Sequence, residues 1–210
     1  MPLLLKLADI LTQIGVLLFS VILHEVAHGA AAARCGDGTA REAGRLTFNP
    51  IPHIDPMGTV ILPALLAVTH SPVLFGWAKP VPINPWRFRK PRRDLAIVGA
   101  AGPLSNLAVA GLSAALFRLL LPWAGLGHPL TRLLLFAVVI NTVLALFNLI
   151  PIPPLDGSRL VVGLLPPRFA TAFLKLERFG LAMIVLLLFF GLNERILRPA
   201  VRTVLGWLLG

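Results

Sequence analysis

Long apolar runs set the first limit on what this chain can become. Four stretches reach the roughly 20 residues that a helix needs to cross a bilayer: Ile10 to Ala33, Asp94 to Leu121, Leu130 to Ile150 and Phe169 to Leu192. Another, Met57 to Trp77, is punctuated by Pro63, His70 and Pro72. Composition agrees: 57% of the 210 residues are hydrophobic and 13% are charged. A soluble domain carries about 25% charged residues, so a water-soluble fold is excluded, and so is disorder. The expectation is an all-α polytopic membrane protein of one domain, 1–210. Its core lies at about residues 8–168 and its C-terminal helices at 169–210. The final stretch, Ile196 to Leu209, is too short to cross. Its flanking and internal arginines (195, 198 and 202) fall at helical spacing, which reads as an interfacial amphipathic helix.

The first run mimics a signal peptide, with Lys6, an apolar stretch and the small residues Ala30 to Ala33. It is too long for the apolar region of one, and it contains His24, Glu25 and His28. Arg34 before Cys35 also spoils a lipoprotein-type cleavage site. The run is therefore expected to stay. With Cys35 as its single cysteine, the chain forms no internal disulfide.

Lysine and arginine outnumber acids 19 to 9, a formal net charge of +10. In a soluble protein that excess would point to nucleic acid. Here the basic residues gather between apolar runs, as in cytoplasmic loops, so the partner is the lipid bilayer and not nucleic acid. The strongest such cluster is Lys79, Arg87, Arg89, Lys90, Arg92 and Arg93.

Residues 24–28 read His-Glu-Val-Ala-His. On a helix, positions i and i+4 share a face, so two imidazoles can hold one metal ion. Glu25 sits beside the first, where a carboxylate can take a proton from an activated water. Zinc suits imidazole and carboxylate ligands and hydrolytic chemistry. The bland alternative is polar residues satisfied by neighbouring helices. Three ionisable groups in a membrane helix are costly, however, and mark function by default.

A catalytic zinc site needs a third protein ligand and an open position. The place of a third histidine downstream holds Arg34. Glu42 is the nearby glutamate, in a polar segment after several glycines. Asp156 is the better candidate. It closes Asn148-Leu-Ile-Pro-Ile-Pro-Pro-Leu-Asp156-Gly157, where three prolines forbid regular helix. Irregular backbone at membrane depth lies buried in protein or lines a cavity. Asp156 also reads as the N-cap of a helix from Gly157 to Leu165, and the two roles are compatible.

These residues resemble the site-2 protease family of intramembrane metalloproteases. The resemblance rests on His24-Glu-Val-Ala-His28 and Asn148-x-x-Pro-x-Pro-x-x-Asp156-Gly157. It extends to Ala101-Gly-Pro-Leu-Ser-Asn106 and Phe48-Asn-Pro-Ile-Pro-His53-Ile-Asp55-Pro-Met-Gly58. It implies that His24, His28 and Asp156 bind one zinc ion per chain. It also implies that Glu25 activates water and that Asn148 helps at the reaction centre. No PDZ insert is present, so the resemblance is to a minimal member. By the same resemblance, Gly44 to Pro52 is expected to form a small re-entrant β element, a strand edge for an unwound substrate, with Pro50 and Pro52 limiting its ladder. Gly157 is expected to leave room for Asp156 to approach the metal. His53 and His70 are read as loop or cavity histidines.

Zinc would force Asp156 to the membrane depth of His24 and His28. If runs one to four all crossed, those ends would lie on opposite faces. The Met57 to Trp77 run is therefore expected to be re-entrant or folded back. The positive-inside rule then puts the N-terminus outside and the active site near the cytoplasm, with Arg34, Arg41, Arg45, the 79–93 cluster, Arg159 and Arg168 on one side. The C-terminal helix would rest on the outer face. The function so implied is an intramembrane zinc metalloprotease acting on transmembrane protein substrates, in a bacterial or archaeal cell membrane. The alternative is a non-proteolytic zinc-binding membrane protein or an inactive homologue that binds membrane helices.

Overall fold

The computed structural model of the chain describes residues 2–61, 64–65, 68–69 and 78–210. Helix α1 runs from Pro2 to Arg34. Its buried stripe is Ser20, His24, His28 and Ala32, while Leu11, Phe19 and Ile10 stay more than half exposed. That inversion, polar inside and apolar outside, is what a helix facing lipid requires. Helix α2 is a single turn, Thr39–Glu42. Pro91–Ala124 forms α3 and Pro129–Asn148 forms α4, each with proline in its first turn, where the missing N–H costs nothing. Between them the chain turns at Gly125 (φ 68°), and the His128 side chain caps α4 by accepting from Leu130 N–H. The shorter helices α5 (Asp156–Leu164), α6 (Pro167–Leu174), α7 (Gly180–Phe189) and α8 (Arg198–Leu209) follow.

Helix α3 is the centre of the molecule and packs against α1, α4 and α5. Its face toward α5 is made of small residues. A Cβ on Gly163 would lie 2.5 Å from Ala96 Cβ, and one on Gly99 would lie 2.7 Å from Arg159 Cβ. Helix α8 packs on α4 and α3, and Arg118 at the far end of α3 donates to Trp207 O.

Among the described residues, three helices are long and apolar enough to cross a membrane: Leu7–Arg34, Pro91–Ala124 and Pro129–Asn148. They match the first, third and fourth apolar runs. The expected fifth span is different. It is α6, a 3-10 turn at Lys175–Phe179, and α7. Lys175, Glu177 and Arg178 interrupt the apolar run there, and Gly180 packs closely on Pro154.

The expected β element at Gly44 to Pro52 is not found; the described residues contain no strand. The segment satisfies its own backbone locally instead. Asn49 N–H donates to Thr47 Oγ1, Ile51 N–H donates to Asn49 Oδ1, and a 3-10 turn follows at Ile51–His53. Such side-chain bonds compete with a ladder, and Pro50 and Pro52 supply no donors to one.

The Met57 to Trp77 run begins with a π-helical turn, Pro56–Ile61. Residues 62–63, 66–67 and 70–77, which include Pro63, His70 and Pro72, lie outside the described residues. Its two flanks are nonetheless close in space. Arg89 N–H donates to Cys35 O, so the chain returns to the end of α1 before α3 begins.

Candidate metal centre

His24 and His28 lie one turn apart on α1, and Asp156 is the first residue of α5. All three are buried, at 7%, 3% and 6% exposure. Their ligand atoms form a triangle. His24 Nε2 and His28 Nε2 are each 3.0 Å from Asp156 Oδ2 and 3.0 Å from one another. Asp156 does not cap α5, since Leu155 holds that position and its carboxylate turns to the imidazoles. The other oxygen, Oδ1, accepts from Arg159 Nη1 at 3.2 Å. Burial works against this carboxylate. The Arg159 guanidinium beside it favours its charged form.

The outer edge of each ring settles what the inner edge presents. His28 Nδ1 donates to Val98 O at 2.6 Å. His24 Nδ1 donates to Asn106 Oδ1, also at 2.6 Å. The orientation of Asn106 is set in turn, because its Nδ2 donates to Ser20 O and to Asn141 Oδ1. Asn141 Nδ2 donates to Ser20 Oγ and Ala137 O. Ser20, Asn106 and Asn141 are fully buried, and their bonds bind α1, α3 and α4 into one polar network. Each Nε2 therefore turns a lone pair toward the carboxylate. Three lone-pair donors at this separation repel unless a cation lies among them.

Zinc fits that donor set. Bonds of about 2.0–2.1 Å in a tetrahedral site place ligand atoms about 3.3 Å apart, close to the triangle seen here. Two imidazoles fixed from behind by a carbonyl and an amide are the usual supports for such a site. His24, His28 and Asp156 also make up the metal-capable group of histidine, cysteine and acid side chains found among the described residues.

Two glycines allow the approach. A Cβ on Gly102 would sit 2.4 Å from His28 Nε2 and 2.6 Å from His24 Nε2. Gly157 serves a different purpose from the one expected. A Cβ there would lie 2.2 Å from Leu149 O, so its bareness lets α5 start against the carbonyls that end α4.

Glu25 follows His24 on α1 and is half-buried. Its Oε2 accepts from Val81 N–H at 2.8 Å, from the irregular segment that precedes α3. Asn148 ends α4, and its Nδ2 donates to Leu144 O within its own helix, so no contact joins it to the triangle. Glu42 is taken up by Arg87, bonded to both carboxylate oxygens. Sequence reasoning assigned no role to Asn106, Asn141 or Ser20. The available signal was the cost of fully polar amides in apolar runs.

Residues 123–191 match Peptidase family M50. The chain is 38% identical over 188 residues to "Putative zinc metalloprotease YwhC" of Bacillus subtilis, covering 87% of this chain and 82% of that protein. It is 35% identical over 199 residues to "Putative zinc metalloprotease Rip2" of Mycobacterium tuberculosis, covering 92% and 68%. A protein of that same name from Mycolicibacterium smegmatis is 30% identical over 177 residues, covering 81% and 64%. No solved structure matches the chain. With relatives this similar across most of both chains, and His24, His28 and Asp156 converging as the motifs require, the chain belongs to Peptidase family M50, the site-2 protease family.

Proposed function

We propose that this integral membrane protein is an intramembrane zinc metalloprotease that hydrolyses peptide bonds in or near transmembrane segments of other membrane proteins. The observation that carries the reading is the triangle of His24, His28 and Asp156, with Glu25 one residue away. These three side chains would hold one zinc ion per chain. When bound, zinc supplies a Lewis acid that polarises the scissile carbonyl and makes water more acidic. Glu25 takes the proton of the attacking water and returns it to the leaving amine. Val81 N–H holds one oxygen of that carboxylate and leaves the other to the reaction. Asn106 and Val98 keep the two imidazoles in the tautomer that faces the site. Asn148, at the end of α4, exchanges its bond to Leu144 O for one to the substrate backbone or the developing oxyanion.

The site opens toward the cytoplasm in this reading. Helices α1 and α4 start on the same side, where Asp9 and Arg132 form an ion pair of 3.2 Å, and their far ends meet at the triangle. The basic residues Arg34, Arg41 and Arg87 to Arg93 lie at that far end, and the positive-inside rule assigns it to the cytoplasm.

Zinc content and cleavage of a single-pass substrate are to be measured together in lipid. Glu25→Gln is expected to keep zinc and lose cleavage by at least a hundredfold. Cleavage retained by Glu25→Gln contradicts the enzymatic reading.

A further inference from the structure

Glu25 receives its hydrogen bond from outside its own helix, from Val81 N–H at 2.8 Å. Val81 lies in the irregular segment before α3, within Lys79-Pro80-Val81-Pro82. The two prolines carry no N–H, so Val81 supplies the one backbone donor of residues 80–82. Each proline also biases the residue before it to extended backbone, which makes a stiff link from Lys79 to Val81. The place of the Glu25 carboxylate therefore depends on where Lys79 is held.

Lys79 is held at both of its backbone groups. Its N–H donates to His53 O at 2.9 Å, and its carbonyl accepts from Arg45 Nη2 at 2.6 Å. Arg45 is anchored in turn, because its own N–H donates to Ala40 O and closes the turn after α2. The next residue, Leu46, meets Val81 over Gly29, one turn beyond Glu25 on α1. A Cβ on Gly29 would lie 2.5 Å from Leu46 Cδ2 and 3.0 Å from Val81 Cγ1.

Arg45 is only 7% exposed, and its Nε is buried without a partner. No carboxylate pairs with it among the described residues. A guanidinium stays charged in a protein, and burying one without a counter-charge is unfavourable. An apolar side chain of similar volume would serve packing alone at least as well. What the charge adds at this place is a short, charge-assisted bond to the Lys79 carbonyl.

We propose that Arg45 is a positioning residue for Glu25: by gripping Lys79 O it fixes Val81 N–H, which fixes the carboxylate that handles the proton of the attacking water. The inference rests on the protease reading above. Arg45 touches neither the substrate nor the three metal-binding side chains, so its loss moves the base and leaves the metal in place.

The test measures zinc content, KM, and kcat per bound zinc for a cleavable single-pass segment in lipid. Arg45→Met keeps the volume and removes the donor. It is expected to lower kcat per zinc roughly ten- to hundredfold, the range that a misplaced reacting group costs, with KM and zinc content within about twofold of wild type. Arg45→Lys can still donate to Lys79 O and is expected to restore kcat to within about threefold. A merely structural role would lower the amount of zinc-loaded enzyme and leave kcat per zinc unmoved. Val81→Pro removes the N–H itself and is expected to lose at least as much kcat as Arg45→Met. Adding Arg45→Met to Val81→Pro is then expected to cost nothing more, since the contact it positions is gone. Should Arg45→Met not fold, Arg45→Gln, a shorter neutral donor, takes its place with the same expectation. Unchanged kcat per zinc in the Arg45 variant, or losses that multiply in the double variant, overturn the positioning role alone. Failure of zinc-loaded wild type to cleave any segment overturns the protease reading and this role together.

Discussion

Asn106 decides which nitrogen of His24 faces the metal. Its Oδ1 can only accept, and two donated bonds from Nδ2 stop the amide from turning. Asn106→Leu is expected to weaken zinc binding by about 10–100-fold in a chelator competition, while Asn106→Asp, still an acceptor for Nδ1–H, retains most of it. Gly102→Ala is expected to lower zinc content at least as far as Asn106→Leu, because its methyl falls on both ligand nitrogens. The residues legible in advance were those whose chemistry is local. His24 and His28 announce themselves by a spacing of four. Asp156 stands out because three prolines end a membrane helix just before it. Asn106 acts across three helices, and nothing in its own neighbourhood says which histidine it meets. His53 read as a loop or cavity histidine, and the structure buries it.

Helices and turns show where local signals win and where they fail. The three long spans follow from apolar runs with few charges, and proline at each start sharpens α3 and α4. The strand expected at Gly44 to Pro52 failed because Thr47 and Asn49 offer the backbone nearer partners. The fifth run folds as α6, a 3-10 turn and α7 in succession, with Lys175, Glu177 and Arg178 at the interruption. The junction after α1 depends on Asp37, which is fully buried. Its carboxylate accepts from Thr39 N–H, Thr39 Oγ1 and Asn84 N–H, and so fastens the segment before α3 to the end of α1. Burial raises the Asp37 pKa, and these hydrogen bonds from Thr39 and Asn84 more than reverse it, leaving it lowered. A lowered folded value means that the carboxylate stabilises the fold above its unfolded pKa of about 3.9, and that the contribution disappears as pH falls through the folded value. Asp37→Asn is expected to cost about 1–3 kcal/mol in thermal melts at pH 7. The gap from wild type is expected to narrow below pH 4.

Among the described residues, the whole-molecule frame is three long apolar helices with a polar seam running through it. Ser20, Asn106 and Asn141 bind α1, α3 and α4 together, and the seam ends at His24. Such a frame holds the two motifs, far apart in sequence, at one depth. That shared depth was legible as a demand of the chemistry, and the meeting of Cys35 and Arg89 is how the fold meets it. The orientation is open to labelling, since Cys35 is buried and its thiol pKa is pushed up by that burial and by Asp94, giving little background. Lys90→Cys is expected to react from the cytoplasmic side of sealed vesicles, and Gly127→Cys from the outer side. The most direct test of the metal centre is zinc K-edge X-ray absorption on the purified protein. One zinc per chain is expected, bound by two imidazole nitrogens with oxygen in the remaining positions at about 2.0–2.2 Å, and Asp156→Ala is expected to remove an oxygen neighbour and much of the metal. An unchanged spectrum and full zinc content in Asp156→Ala would contradict the shared site.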